Sequence, residues 1–266
     1  MPTSDSHRAL AAVFDDKRVS SRQPVQAPAR STPLFVVASP RPMVGKTFVA
    51  RLAADFARLD GRPVKAFDLD PEEGSLADFL PAVTIKADIG NTRGQMALFD
   101  HLIVGDGVAK VVDLVHSAFE RFFTVVAEIG FIEEARRREV EPVILFIADP
   151  HPASAPAYAR LRQHLPNVTL VPVFNDGVLK GRKLRDLFPS GRASTLPLHI
   201  RALAPLIRAH ADKPTHSFAD FHAHLPLDVP AAQATELRSW IRRTFLEFRE
   251  LELRLLLDKL TASLKT

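Results

Sequence analysis

Eight residues, Pro40-Arg41-Pro42-Met43-Val44-Gly45-Lys46-Thr47, constrain this chain more than any others. The apolar run Leu34-Phe35-Val36-Val37-Ala38 precedes them, and the helical pattern Phe48-Val49-Ala50-Arg51-Leu52-Ala53-Ala54-Asp55-Phe56 follows. Strand, tight loop ending in Gly-Lys-Thr, then helix is the context of a phosphate-binding loop. Loop amides and a helix N-terminus both present unsatisfied N–H groups to an anion. On this reading Val44, Gly45, Lys46, Thr47 and Phe48 bind the nucleotide. Lys46 lies on the β/γ-phosphates, and the Thr47 hydroxyl holds Mg²⁺. The loop opens with Pro40 where glycine is usual. Proline fixes φ and has no N–H, so the cradle loses one flexible donor position.

A length of 266 residues suits one large α/β domain, or one domain with tails. No apolar stretch nears the ~20 residues of a spanning helix. Met1 to Ala11 lacks the charged-then-apolar profile of a secretory leader. The absence of cysteine excludes disulfides and thiolate metal sites. The expectation is a cytoplasmic protein. The net charge of +4, from 35 basic and 31 acidic residues, does not by itself point to nucleic acid.

Residues 1–32 read as a disordered tail, rich in Pro, Ser and Ala and poor in large apolar residues. Arg8 to Phe14 within it has the pattern of a short docking peptide. Residues 33–230 alternate apolar runs with amphipathic ones. Strands are expected at 34–39, 63–68, 110–115, 142–148, 168–174 and 194–198. Helices are expected at 46–59, 93–103, 116–137, 153–164 and 201–211. This alternation predicts an α/β fold, a mostly parallel sheet with helices on both faces. Ligands bind such sheets beyond the carboxyl ends of the strands. Residues 231–266 read as a long C-terminal helical arm with two apolar stripes. One runs through Leu237, Ile241, Phe245, Phe248, Leu251 and Leu255. The other runs through Leu253, Leu256, Leu257, Leu260 and Leu264.

The second expected strand ends in Phe67-Asp68-Leu69-Asp70-Pro71. Two aspartates two apart on an extended chain point the same way, toward a metal and a γ-phosphate. One can hold metal-bound water and the other can orient the attacking water. Asp113 ends Ala109-Lys110-Val111-Val112-Asp113 and reads either as a second acid for Mg²⁺ or as the N-cap of the next helix. Asp88 competes for the same role. Asn175, after Val171-Pro172-Val173-Phe174, reads either as a group contacting a base edge or as a turn asparagine.

A Gly-Lys-Thr loop followed by a strand ending in Asp68-Leu69-Asp70-Pro71 resembles the ParA/MinD superfamily of deviant Walker-A P-loop ATPases. It is similar also to plasmid-borne ParA-like proteins of the TraL and StbB types. The resemblance covers roughly Leu34 to Asp176. It implies an ATP- and Mg²⁺-dependent P-loop NTPase of SIMIBI type, acting as a slow partition, positioning or plasmid-transfer switch, and a homodimer. It implies Lys46, Asp70 and Arg41 as catalytic, and Thr47, Asp68 and Asp113 around Mg²⁺. Asn175 would bind adenine. Arg41 stands where the family has a lysine that reaches across the dimer, and arginine is a planar fork rather than a compact ammonium. Pro40, Pro42 and Met43 stand where it has glycines. The departures keep open a nucleotide-binding pseudo-ATPase scaffold. Val44-Gly45-Lys46-Thr47 also suits a dethiobiotin-synthetase-like ligase.

Leu179 to Leu187 carries Lys180, Arg182, Lys183 and Arg185 against Asp186. It reads as a solvated loop or as a patch for DNA phosphates. Asp220-Phe221-His222-Ala223-His224 would aim both imidazoles one way if extended, as a metal site needs. The long helix admits a core role, an arm for self-association or a protein partner, and a membrane-surface role. Its nearly balanced charges favour protein over anionic lipid.

Overall fold

The computed structural model describes residues 31–70, 75–190, 196–224 and 229–264. Residues 1–30 of the expected tail, with the Arg8 to Phe14 peptide, Pro71, and the start of the strand expected at 194–198, lie outside them; Thr32, expected in the tail, is instead buried at the start of the first strand, in register with Val140. Ser31–Thr266 forms one compact unit that includes the long C-terminal helix.

Seven strands form one sheet: β1 (Thr32–Ala38), β2 (Val64–Asp68), β3 (Thr84–Lys86), β4 (Ala109–Asp113), β5 (Val140–Ala148), β6 (Thr169–Asn175) and β7 (Leu198–Ile200). All pair in parallel, in the order β3-β2-β4-β1-β5-β6-β7. β1 is central, with β4 on one side and β5 on the other. The chain leaves β1 toward β2 on one flank and later fills the other flank, so the crevice after β1 is a switch point where ligands bind in such sheets.

Ten helices are seen among the described residues: α1 (Lys46–Leu59), α2 (Leu76–Phe79), α3 (Thr92–Leu102), α4 (Phe119–Glu128), α5 (Phe131–Arg137), α6 (Ser154–His164), α7 (Asp176–Leu179), α8 (Pro205–Ala211), α9 (Phe218–Ala223) and α10 (Ala231–Ser263). Alternate strand residues serve opposite faces, as a period of two requires. Leu34, Val36, Val112, Ile144 and Phe146 pack under α3 to α6. Phe35, Val37, Val111, Val143 and Leu145 pack under α1 and α8 to α10.

Five of the six expected strands lie within two residues of their expected positions. The sixth begins later, at Leu198, just past Pro197, which has no N–H for the ladder. The helix expected over 116–137 is two helices after a 3-10 turn. Gly130, at φ 59°, breaks it in the left-handed region that glycine adopts freely. The helix expected from 201 begins at Pro205, whose fixed φ suits a first helical position. β3, α2, α7 and α9 are too short for periodicity to announce. α9 also corrects the His-x-His reading. His222 lies on a helix and His224 just beyond it, so the two do not project from one face of a strand. No group of three metal-ligating side chains occurs among the described residues.

α10 is a core helix along its first stripe. Leu237, Ile241, Phe245, Phe248 and Leu251 are buried. Phe248 stacks on Phe56 of α1 at 5.5 Å between ring centroids. Arg62 donates to Glu252 at 2.6 Å, and Arg249 pairs with Asp60. At the far end Lys259 reaches Ser31 at 2.6 Å and Glu141 at 2.7 Å. No described helix is long and apolar enough to cross a membrane.

Two buried polar clusters tie the segment before α10 to α1. Arg51, 1% exposed, donates to the carbonyls of Ala211 at 2.5 Å and His216 at 3.1 Å. Its guanidinium lies 3.8 Å from the Phe79 ring centroid. Asp55, wholly buried, accepts from Phe218 N at 2.6 Å, Ser217 Oγ at 2.9 Å and Arg58 Nη1 at 2.9 Å. Burial and the neighbouring Arg51 charge lower the His216 pKa to about 4.

Between pH 6.5 and about 4 the unfolded chain therefore takes up a proton at His216 that the folded chain refuses. Stability from this residue is present above pH 6.5 and is lost as pH falls toward 4. Thermal melts of wild type should drop over that window more than those of His216→Phe. Phe248→Ala should cost about 3–5 kcal/mol in denaturant unfolding. Leu206→Ala, 70% exposed on α8, should change stability by about 0.5 kcal/mol or less.

Candidate functional site

β1 ends at Ala38, and the loop Ser39 to Gly45 turns the chain into α1. Ser39, fully buried, accepts from Arg41 N at 3.2 Å and starts the turn. Met43 lies at φ 57° with its side chain 97% exposed. A non-glycine residue there carries backbone strain of about 1–2 kcal/mol. Gly45 caps α1 at φ 88°. A Cβ on it would come within 2.5 Å of Asn175 Nδ2. The glycine is therefore required twice, by its backbone angle and by the close approach of β6.

Asn175 ends β6 and works in two directions. Its Oδ1 accepts from Gly177 N at 3.1 Å and caps α7. Its Nδ2 donates to the Val44 carbonyl at 3.4 Å. The turn reading and a brace on the loop thus coexist in one amide. Phe48 faces inward, against Phe218 and Trp240 at 5.7 and 5.8 Å between centroids.

Lys46 is largely buried, and its Nζ donates to the Arg41 carbonyl at 2.7 Å. Burial lowers its pKa, while the carboxylates of Asp113, Asp70 and Asp149 act against the shift. The ammonium thus sits in the field of three acids. Asp113 and Asp68 end neighbouring strands in direct register, and both alternate onto the α1 face. The Thr47 side chain lies close enough to Asp113 to favour its charged form. Burial pushes its carboxyl up to about 7, and the nearby Asp68 and Asp70 add to the rise. Its Oδ2 is buried without a hydrogen-bond partner.

The carboxylates play different parts. Asp68 accepts from Asp70 N at 3.0 Å through one oxygen and from Ala77 N at 2.8 Å through the other. It organises the turn that presents Asp70. Asp113 does not cap a helix: the 3-10 turn at His116 is preceded by Val115. Asp88 lies in an exposed turn, accepting from Gly90 N at 2.7 Å and Asn91 Nδ2 at 3.2 Å. Of these two, Asp113 is the acid beside Lys46 and Thr47.

Asp149 is the residue that sequence reading missed. It follows β5 on the other side of β1, is 4% exposed, and accepts from His151 N at 2.9 Å. Its Oδ2 is buried without a partner. The signal was present: an apolar strand ending in Asp149-Pro150 obeys the same strand-end rule that singled out Asp113. Lys180, Arg182, Lys183 and Arg185 are all exposed beyond β6, on the carboxyl side of the sheet.

The residues fit a Mg²⁺-nucleotide. Thr47 supplies a hydroxyl at the start of a helix, and Asp113 beside it has an orphaned buried oxygen. Gly45 leaves a backbone cradle, and Lys46 supplies the cation. Gly45→Ala should cost about 1–3 kcal/mol of stability and disorder the Asn175 contact, read by unfolding and by the amide resonances of Gly177. No protein-family model matches this chain, and no curated protein sequence matches it significantly.

Proposed function

We propose that this chain binds ATP with Mg²⁺ and acts as a slow ATPase switch of the ParA/MinD-like kind, used in partition, positioning or plasmid transfer. The observation that carries the reading is the convergence of Lys46, Thr47, Asp113 and Asp70 at the carboxyl end of a central parallel strand. An ammonium lowered by burial yet ringed by acids is a group held ready for an anionic ligand that brings its own cation.

In the proposed mechanism the triphosphate draws Lys46 Nζ from the Arg41 carbonyl onto the β/γ-phosphates. The amides of Gly45, Lys46, Thr47 and Phe48 point at the phosphates from the N-terminus of α1. Thr47 and Asp113 would hold the metal, and Asp68 shapes the turn that carries Asp70. Asp70 orients the attacking water. Mg²⁺, when bound, neutralises charge on the β- and γ-phosphates. Arg41 occupies the place of a cross-dimer cation, offering a fork where a point charge is usual. Asn175 braces the loop through the Val44 carbonyl. Nucleotide state would then control contacts with partners.

The strained, proline-flanked loop favours a second reading, a scaffold that binds nucleotide without turning it over. Isothermal titration with ATP and Mg²⁺, with a phosphate-release assay, separates the two. Binding with slow release supports the switch. Binding with no release supports the scaffold, and consumption of ATP only with a small acid present would replace both by a ligase. Lys46→Ala should weaken ATP binding by about 10- to 100-fold, the worth of a charge-assisted hydrogen bond. Asp113→Asn should keep Mg²⁺-free ATP binding and lose the added affinity that Mg²⁺ confers. No affinity of wild type for any purine triphosphate would end the proposal.

A further inference from the structure

The outer face of α10 presents a row of leucines. Leu246 and Leu257 are each 61% exposed, and Leu253, Leu256, Leu260 and Leu264 are exposed as well. All but Leu256, which flanks them, lie opposite the buried stripe of the same helix, which begins at Leu237 and runs through Ile241, Phe245, Phe248 and Leu251. Their spacing is that of a helix seam. Leu246, Leu253 and Leu260 repeat every seven residues, and Leu257 and Leu264 fall on the alternate position of the same heptad. Exposed leucine area of several hundred Å² in one strip is the size that marks an interaction site.

We propose that this strip pairs with the same strip of a second copy of this chain, with the two α10 helices antiparallel. A two-fold interface requires each residue pairing to be returned by the other copy. A dyad at the level of Leu255 meets that requirement. It sets Leu246 opposite Leu264 of the second copy, Leu253 opposite Leu257, and Glu250 opposite Leu260. Leu256 meets its own counterpart beside the dyad. Arg254 also nears its counterpart there, with Asp258 of the second copy within one helical turn to offset the repulsion.

The parallel alternative stacks Glu250 on Glu250 in the seam and directs Arg249 toward Arg254 on both flanks. These three like-charge contacts oppose pairing in that direction. The antiparallel register also has a receptor at its ends. A cavity of about 210 Å³ beside Leu246 is lined by Phe56, Leu59, Phe245, Arg242 and Arg249. Leu264 of the second copy falls next to it. The two ends of the interface are thus a pocket whose apolar wall is Phe56, Leu59 and Phe245, shared with Asp60 and His222, and an apolar side chain, each supplied by both copies. The leucine strip with these pockets approaches the ~800 Å² per partner of a stable interface.

This pairing does not rest on the nucleotide reading, and Lys46→Ala should dimerise as wild type does. Light scattering after size exclusion, without nucleotide or metal, should give wild type about twice its chain mass of 29.4 kDa. The double variant Leu253→Glu, Leu257→Glu should run as a monomer that keeps the far-UV circular dichroism of the folded chain, since both side chains face solvent in the single chain, and its melting temperature should no longer depend on protein concentration as that of wild type does. The lack of native cysteine allows a direct test of direction. Leu246→Cys chains mixed with Leu264→Cys chains should form disulfide dimers on mild oxidation. Leu246→Cys alone should not, because its two copies lie about 27 Å apart in this register. A monomeric wild type, a double variant that stays dimeric, or ready cross-linking of Leu246→Cys alone would each overturn the proposal. A monomer that binds anionic vesicles through these leucines would overturn it and assign the face to a lipid surface.

Discussion

A buried ammonium held among carboxylates is the arrangement on which the rest of this structure turns. Lys46 loses hydration because β1 lies in the middle of the sheet and α1 closes over it. Its charge is tolerable there because Asp113, Asp70 and Asp149 approach from both neighbouring sides. Each acid owes its place to parallel pairing. Neighbouring parallel strands end at one edge of the sheet, so residues distant in sequence gather around the loop that leaves β1. The same geometry explains why the acids differ. Asp68 is satisfied by backbone amides, whereas Asp113 and Asp149 each retain an unpartnered buried oxygen.

That arrangement is supported from the far side of α1. The helix is pinned by its own buried charges, with Arg51 holding the carbonyls of Ala211 and His216 and Asp55 holding the start of α9. α10 then lies along α1 through Phe56, Phe245 and Phe248. Breaking one partner of such a buried charged set is costly, because the other is left without compensation. The position of α1 is therefore coupled to the C-terminal third of the chain.

The sequence made some of this legible and concealed the rest for definite reasons. The loop, α1 and the strand ends at Asp68 and Asp113 announced themselves, because apolar runs bounded by charged or turn residues read clearly at a period of two or 3.6. The break at Gly130 was hidden within one apolar pattern spanning both α4 and α5. α9 was hidden because six residues are too few to show a helical period, and so His222 and His224 read as an extended pair. Asp149 obeys the same strand-end rule as Asp113, but only the strand order, which sets β5 beside β1, brings it to Lys46.

By itself the sequence determined the alternating α/β class, the parallel character of the sheet, and the Gly45-Lys46-Thr47 loop, since each is written in local periodicity and local turn chemistry. Only the tertiary structure decided which acids meet Lys46, that Asn175 spans from β6 to the loop, and that one face of α10 is core while the other stands outward. Those facts depend on strand order and on helix rotation against the sheet. Both are set by long-range packing, which no window of neighbouring residues contains.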